Sequence, residues 1–261
     1  YSIGTRDWEP TAGGESGHIV AKPDDPDIVI GGSYGGYLTL VNHRTGEQRG
    51  INVWPDNPMG WGAAELRYRF QWNFPIAFSK HDPDVLYAAG NVLFKSSDLG
   101  QSWEAISPDL TRNDKSRMGP SGGPITKDQT GVETYATVFA IAPSYHDPQV
   151  IWAGSNDGYV QVTRDGGGSW RNVTPADAPD FVRINTIEAS PTTPGKAYVA
   201  GIRYLVENDM HPYVWKTEDY GSTWTRIDSG FPMDDFVRAV REDPERPRRL
   251  YAASEQTGNI S

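Results

Sequence analysis

The sequence has no cysteine among its 261 residues, which excludes disulfides, thiolate metal sites and cysteine nucleophiles. No apolar run approaches the roughly 20 residues that a membrane-spanning helix requires. Positive charge is scarce: Lys+Arg 24 against Asp+Glu 34 leaves a formal net charge of −10, which argues against a dedicated nucleic-acid binder. The first residues, YSIGTRDWEP, show no charged segment leading into an apolar one. Also missing are a Gly-x-Ser-x-Gly elbow, a phosphate-binding glycine loop, a dinucleotide fingerprint and any spacing suited to zinc, calcium or iron, so no cofactor or metal is expected. Aromatics and turn formers are abundant instead. Hydrophobic content of 37% with 11% aromatic is too rich for a disordered chain, and Gly 28 with Pro 20 points to many short strands joined by tight turns.

One phrase recurs five times: DDPDIVIGG at 24–32, HDPDVLYAAG at 81–90, HDPQVIWAG at 146–154, TTPGKAYVAG at 192–201 and ERPRRLYAAS at 245–254. In the last four, an aromatic stands four residues after the proline (Tyr87, Trp152, Tyr198, Tyr251), and Ile30 holds that place in the first. A proline turn followed by a β-branched and aromatic run is a turn-then-strand signal. A second motif, Ser/Thr-x-Asp-x-Gly-x-Ser/Thr-Trp, follows it three times: Ser96, Asp98, Gly100 and Trp103; Thr163, Asp165, Gly167 and Trp170; Thr217, Asp219, Gly221 and Trp224. These residue types suit a hairpin turn. The carboxylate accepts turn N–H groups, the glycine takes a positive φ, and the tryptophan buries a large face as the next strand begins. NHRTGEQR at 42–49 sits in the same register with Arg44 for the Asp and Arg49 for the Trp, a decayed copy.

With one strand between the motifs and one before the proline, each unit holds four short strands. The expected fold is an all-β propeller of four-stranded antiparallel blades, about four and a half of them, within a single domain over 1–261. Blades are expected at about 16–54, 73–107, 134–174 and 183–228, with a partial one at 236–261. Asp98 stands fifteen residues after Pro83, and the same step from Pro247 falls one residue past Ser261. The remaining blades are therefore expected from further sequence or from another chain, since open sheet edges need a cover.

The three boxes resemble the Asp-box, or BNR, repeat of sialidases, sortilin-type receptors and bacterial proteins labelled glycosyl hydrolase. FQWNFPI at 70–76 and WEAISPDLTRND at 103–114 are most similar to the last, sortilin-like group. The resemblance covers the chain from about Gly17. It implies that the box residues are structural rather than catalytic, and that the protein works outside the cytoplasm, periplasmic or secreted.

In a propeller the loops 54–72, 107–133, 174–182 and 228–235 would share one face with 31–36, 154–158 and 201–212. Long loops there are the natural place for function. Loop 54–72 carries Trp54, Trp61 and Trp72 with Glu65, Arg67 and Arg69, a set suited to stacking on sugar rings and pairing with hydroxyls. Loop 107–133 offers Asp109, Arg112, Asp114 and Glu133, and loop 201–212 offers Arg203, Glu207, Asp209 and His211. FVRIN at 181–185 and FVRAV at 236–240 put Arg183 and Arg238 at equivalent positions where an innermost strand begins. Two arginines at one channel mouth would favour an anion such as a carboxylate. Sialidases hold their ligand with three arginines, but their Tyr-Glu pair and early Arg-Ile-Pro are not identifiable here.

The leading expectation is a module that binds a protein, peptide or glycan through its loop face. A glycoside hydrolase, with Glu65 and Glu133 as candidate catalytic residues, is the first rival, because such enzymes need two carboxyl groups roughly 5–10 Å apart. A scaffold subunit completed by another chain is the second.

Overall fold

A computed structural model describes residues 4, 5, 8–15, 17–122, 125, 126, 134–247, 249–256 and, for the backbone, 258–260. Glu133 lies outside the described residues. The fold is a partial β-propeller of five antiparallel sheets, four with four strands and one, among the described residues, with three. Blade 1 holds β1 (Ile19–Lys22), β2 (Asp25–Ser33), β3 (Tyr37–Asn42) and β4 (Glu47–Gly50). Blade 2 holds β5 (Ile76–Phe78), β6 (Leu86–Ala89), β7 (Leu93–Ser96) and β8 (Glu104–Ala105). Blade 3 holds β9 (Val138–Pro143), β10 (Ile151–Ser155), β11 (Val160–Thr163) and β12 (Arg171–Asn172). Blade 4 holds β13 (Arg183–Ala189), β14 (Ala197–Arg203), β15 (Asp209–Thr217) and β16 (Thr225–Arg226). Blade 5 holds β17 (Val237–Glu242), β18 (Leu250–Ser254) and β19 (Gly258–Ile260). Strands within each blade pair in chain order, and the first strands of successive blades lie side by side. Among the described residues no helix is long and apolar enough to cross a membrane.

The repeated phrase explains how blades hold each other. Ile30, Tyr87, Trp152 and Tyr198 are 0%, 4%, 1% and 6% exposed, each buried in a cluster that includes residues of the following blade. Trp152, for example, packs with Ile184 and Ile187 of blade 4 and meets Trp224 edge to face at 6.2 Å. Tyr251, in the same register of blade 5, is 39% exposed. The phrase's turns are pinned by serine hydroxyls. Ser79 Oγ accepts the amides of His81 and Asp82, and Ser144 Oγ those of His146 and Asp147. The histidines then reach the next blade, with His81 Nε2 3.0 Å from the Ser144 carbonyl and His146 Nε2 3.1 Å from the Ser190 carbonyl.

The three Asp-centred turns are built alike. Asp165 Oδ1 accepts the Thr163 hydroxyl at 2.8 Å and the Ser169 amide at 2.8 Å, while Oδ2 accepts the Ser169 hydroxyl at 2.6 Å. The Thr163 oxygen accepts the Gly167 amide at 2.9 Å. Asp98 and Asp219 make the same set with Ser96 and Ser102, and with Thr217 and Thr223. These donors hold all three carboxyls down to a pKa of about 2, with the Ser102, Ser169 and Thr223 hydroxyls the largest contributors.

Each box also grips the blade before it. Trp103 Nε1 donates to the Ile51 carbonyl at 3.0 Å, Trp170 to Ile106 at 2.9 Å and Trp224 to Val173 at 2.6 Å. The box glycine faces that same residue: a Cβ on Gly100 would lie 2.7 Å from Ile51, and one on Gly221 2.7 Å from Val173. Both glycines hold positive φ, 80° and 77°, so no other residue fits. In blade 1 the turn is capped differently, with Asn42 Oδ1 accepting the amides of Arg44 and Thr45. There Arg44 points away to pair with Asp25 and Asp27 at 2.8 Å each.

Candidate ligand-binding site

The innermost strands all begin on one face, and the β10–β11 and β14–β15 connections arrive at the same face. Together they enclose a cavity of about 790 Å³. Aromatic rings line it from four places: Trp72 before β5, Tyr135 before β9, Phe139 within β9 and Phe181 before β13. Three arginines reach it, Arg183 at the start of β13, Arg203 at the end of β14 and Arg238 near the start of β17. The side chains of Gln71, Asn73, Asn156 and Asn185 supply amides. Phe181 holds a left-handed φ of 59°, a conformation costly for a bulky residue and retained here at the cavity mouth.

The arginines differ in their partners. Arg203 pairs through Nη1 with Glu207 at 3.0 Å and Asp209 at 3.2 Å, and its Nε donates to the Asp180 carbonyl. Asp209 also accepts the Tyr213 hydroxyl at 2.7 Å and contacts His211 Nδ1 at 2.7 Å, and these bonds outweigh burial to hold its carboxyl at about 2. Arg238 is tied to Glu255. Arg183 forms no ion pair among the described residues. Its guanidinium lies 4.5 Å over the Phe139 ring, with the Tyr204 hydroxyl beside both it and Arg238. Burial, chiefly, together with the nearby Arg238 charge lowers the Arg183 pKa from the ordinary arginine value. Three buried donors of the lining lack a hydrogen-bond partner among the described residues: Trp72 Nε1, Tyr135 Oη and Arg183 Nε.

Of the described site residues expected from sequence, Trp72, Arg183, Arg203 and Arg238 come together in this cavity, and the other described ones do not. Arg69 is 3% exposed and structural. Its Nε donates to the Ala136 carbonyl at 2.9 Å and its Nη2 to Asp109 at 2.5 Å, with Asp109 held in turn by Asn91 and Thr111. A single arginine thus ties two long loops, which is why it does not face a ligand. Trp54 packs edge to face on Tyr68 at 5.3 Å, with Arg67 stacked 4.5 Å over its ring and Asp56 accepting its Nε1. Trp61 is 53% exposed on the same loop. The three tryptophans therefore form no common platform, because Trp54 is spent capping the blade 2 core. Glu65 is exposed and accepts the Gly62 amide at 2.8 Å, closing a local turn. Asp114 caps the short turn at 115–117 through the Ser116 amide and hydroxyl, which lower its pKa. Sequence reasoning missed Tyr135, Phe139, Phe181, Asn156 and Asn185. The signal was present for Phe181, since it immediately precedes the repeated valine-arginine.

No family model matches the chain, and no curated protein matches it by sequence. Solved structures do match in fold. An ancestral GH74 enzyme superposes with a TM-score of 0.59 at 14% identity, covering 97% of this chain and 31% of the enzyme. The structure of U3-55K superposes with a TM-score of 0.56 at 10% identity, covering 94% of this chain and 60% of that one. The chain thus spans less than two thirds of either structure's length. At these identities the likeness establishes the propeller fold alone.

Proposed function

We propose that the chain is part of an Asp-box propeller, akin to the sortilin-like group, that acts outside the cytoplasm as a binding module and receives its ligand in the loop-face cavity. The carrying observation is the composition of that cavity: aromatic rings and arginines converge from four blades, and among the described residues its lining holds no carboxylate. Apolar rings with a few convergent polar groups suit capture of a protein, peptide or glycan segment.

A glycoside hydrolase is the rival raised by the likeness to the GH74 enzyme. Such chemistry needs an acid and a second carboxylate roughly 5–10 Å apart. Glu65 caps a turn away from the cavity, and the described lining supplies no such pair. Peptide and glycan arrays with the wild type and with Trp72→Ala decide between them. Binding that falls about tenfold in Trp72→Ala, with no bond cleaved, supports the module. Turnover of a glycan that disappears in Glu133→Gln or Glu65→Gln overturns it in favour of the hydrolase.

A further inference from the structure

Asn172-Val173-Thr174 carries the Asn-x-Ser/Thr pattern, with no proline at its centre, that marks an acceptor for N-linked sugar at the surface of a secreted protein. The fold gives this triplet the exposure and the hydrogen bonds that such chemistry needs. Asn172 lies on β12, the outermost strand of blade 3, whose far edge pairs with no other strand among the described residues. The residue is exposed, while Val173 beside it is buried and holds the strand down. The Thr174 oxygen accepts the Val160 amide at 3.0 Å, which leaves its own proton for Asn172 Oδ1 at 2.7 Å. The Thr174 amide donates to the same Oδ1 at 3.0 Å. Two donors on Oδ1 draw electron density out of the carboxamide and make an Nδ2 proton easier to lose. Among the described residues Nδ2 meets no acceptor, so it is the open end of the side chain.

The hydroxyl belongs to the blade, and the asparagine does not. Ser107 serves blade 2 as Thr174 serves blade 3, its Oγ accepting the Leu93 amide at 2.8 Å. The place of Asn172, two residues past the box tryptophan, is held by Ala105 in blade 2 and Arg226 in blade 4. The blades fold alike with any of the three, so the strand does not require the amide. The chain's other such triplet ends at Ser261, outside the described residues.

We propose that Asn172 is an acceptor for N-linked glycosylation, taking an oligosaccharide on Nδ2 at the outer rim of blade 3. This rests on the reading that the chain acts outside the cytoplasm. The donor is an oligosaccharide carried on a lipid pyrophosphate. A bond forms between Nδ2 and the sugar's C1, the bond from C1 to the pyrophosphate oxygen breaks, and Nδ2 gives up one proton. The lipid pyrophosphate leaves with the bonding pair, and nothing is oxidised or reduced. Asn172 does not line the loop-face cavity, so the sugar would cover the rim and leave that cavity open.

Secretion of the full chain from a eukaryotic cell, behind an added signal peptide, tests the proposal by intact mass and by mapping the peptide that holds Asn172. That peptide should carry an oligosaccharide, and a glycan-releasing amidase should remove it and leave aspartate at 172. Asn172→Gln should lose the modification from this peptide. Thr174→Ser keeps the hydroxyl and should keep the glycan, whereas Thr174→Ala should lose it. A bare Asn172 in the secreted wild type, or a glycan that survives Thr174→Ala, overturns the proposal. The added signal peptide supplies the compartment, so such a failure concerns Asn172 alone and leaves the binding module standing. Loss of Trp72-dependent binding in the arrays would overturn that module without touching the glycan.

Discussion

Asp98, Asp165 and Asp219 sit at the surface, Asp165 exposed and the other two half-buried, yet each carboxylate accepts two hydroxyls and a backbone amide, and this sets how the protein meets acid. Their folded-state pKa of about 2 lies below the unfolded value near 4. The stability they contribute is therefore fully present above about pH 4 and is lost as the pH falls toward 2. Asp165→Asn should lower the thermal midpoint at neutral pH and flatten its decline between pH 4 and 2, measured by circular dichroism across that range. A decline as steep as the wild type's would mean that the carboxylate is not what titrates. Asp165→Ala should lower the midpoint by a few degrees, yet leave binding at the loop face unchanged in the same array assay, because no box residue lines the cavity. The box chemistry was legible in the sequence because it is local: four residue types within eight positions prescribe one turn. The role of Arg69 was not, since its partners Asp109 and Ala136 lie 40 and 67 residues away.

At the scale of the element, the joint between blades combines two parts from different motifs. The aromatic of the second strand inserts into the following blade, and the tryptophan of the following blade's box returns a hydrogen bond to the carbonyl just past the earlier blade's outer strand. Trp170→Phe removes one such bond, to Ile106, and should destabilise by about 1–2 kcal/mol once the lost contact area is included. Urea unfolding reads this as a lower midpoint with an unchanged slope. The sequence spoke to the strands through their alternation and through the proline turns. It was silent on the joints, because nothing in the order of residues says that Trp224 will find Val173 and Trp152 at once. The same holds for the cavity. Arg183 and Arg238 were visible as siblings in repeated phrases, whereas Trp72 came from a loop whose other tryptophans, Trp54 and Trp61, do not line the cavity.

Across the whole molecule the joints repeat with the blades, and in the last described blade the corresponding aromatic lies at the surface. Tyr198 is 6% exposed and Tyr251, its counterpart one blade on, is 39% exposed. Tyr198→Ser should cost about 3 kcal/mol, as loss of a buried aromatic does. Tyr251→Ser should stay within about 0.5 kcal/mol, as surface changes do. Chemical denaturation of both variants compares them directly. Equal losses would mean that Tyr251 is already seated against something. In a chain carrying a further blade the two costs should converge, because the next sheet would cover Tyr251 as blade 5 covers Tyr198.

The one-way character of these joints has a consequence for synthesis on the ribosome. The burial of a blade's aromatic is completed by residues of the blade that follows, and its trailing carbonyl is capped by that blade's box tryptophan. As the chain emerges, blade n can form its own strands but not its final packing until the strands of blade n + 1 have left the exit tunnel. Folding therefore trails translation by one repeat, and at each moment the newest blade displays one uncovered aromatic to whatever chaperone or neighbouring chain stands nearest.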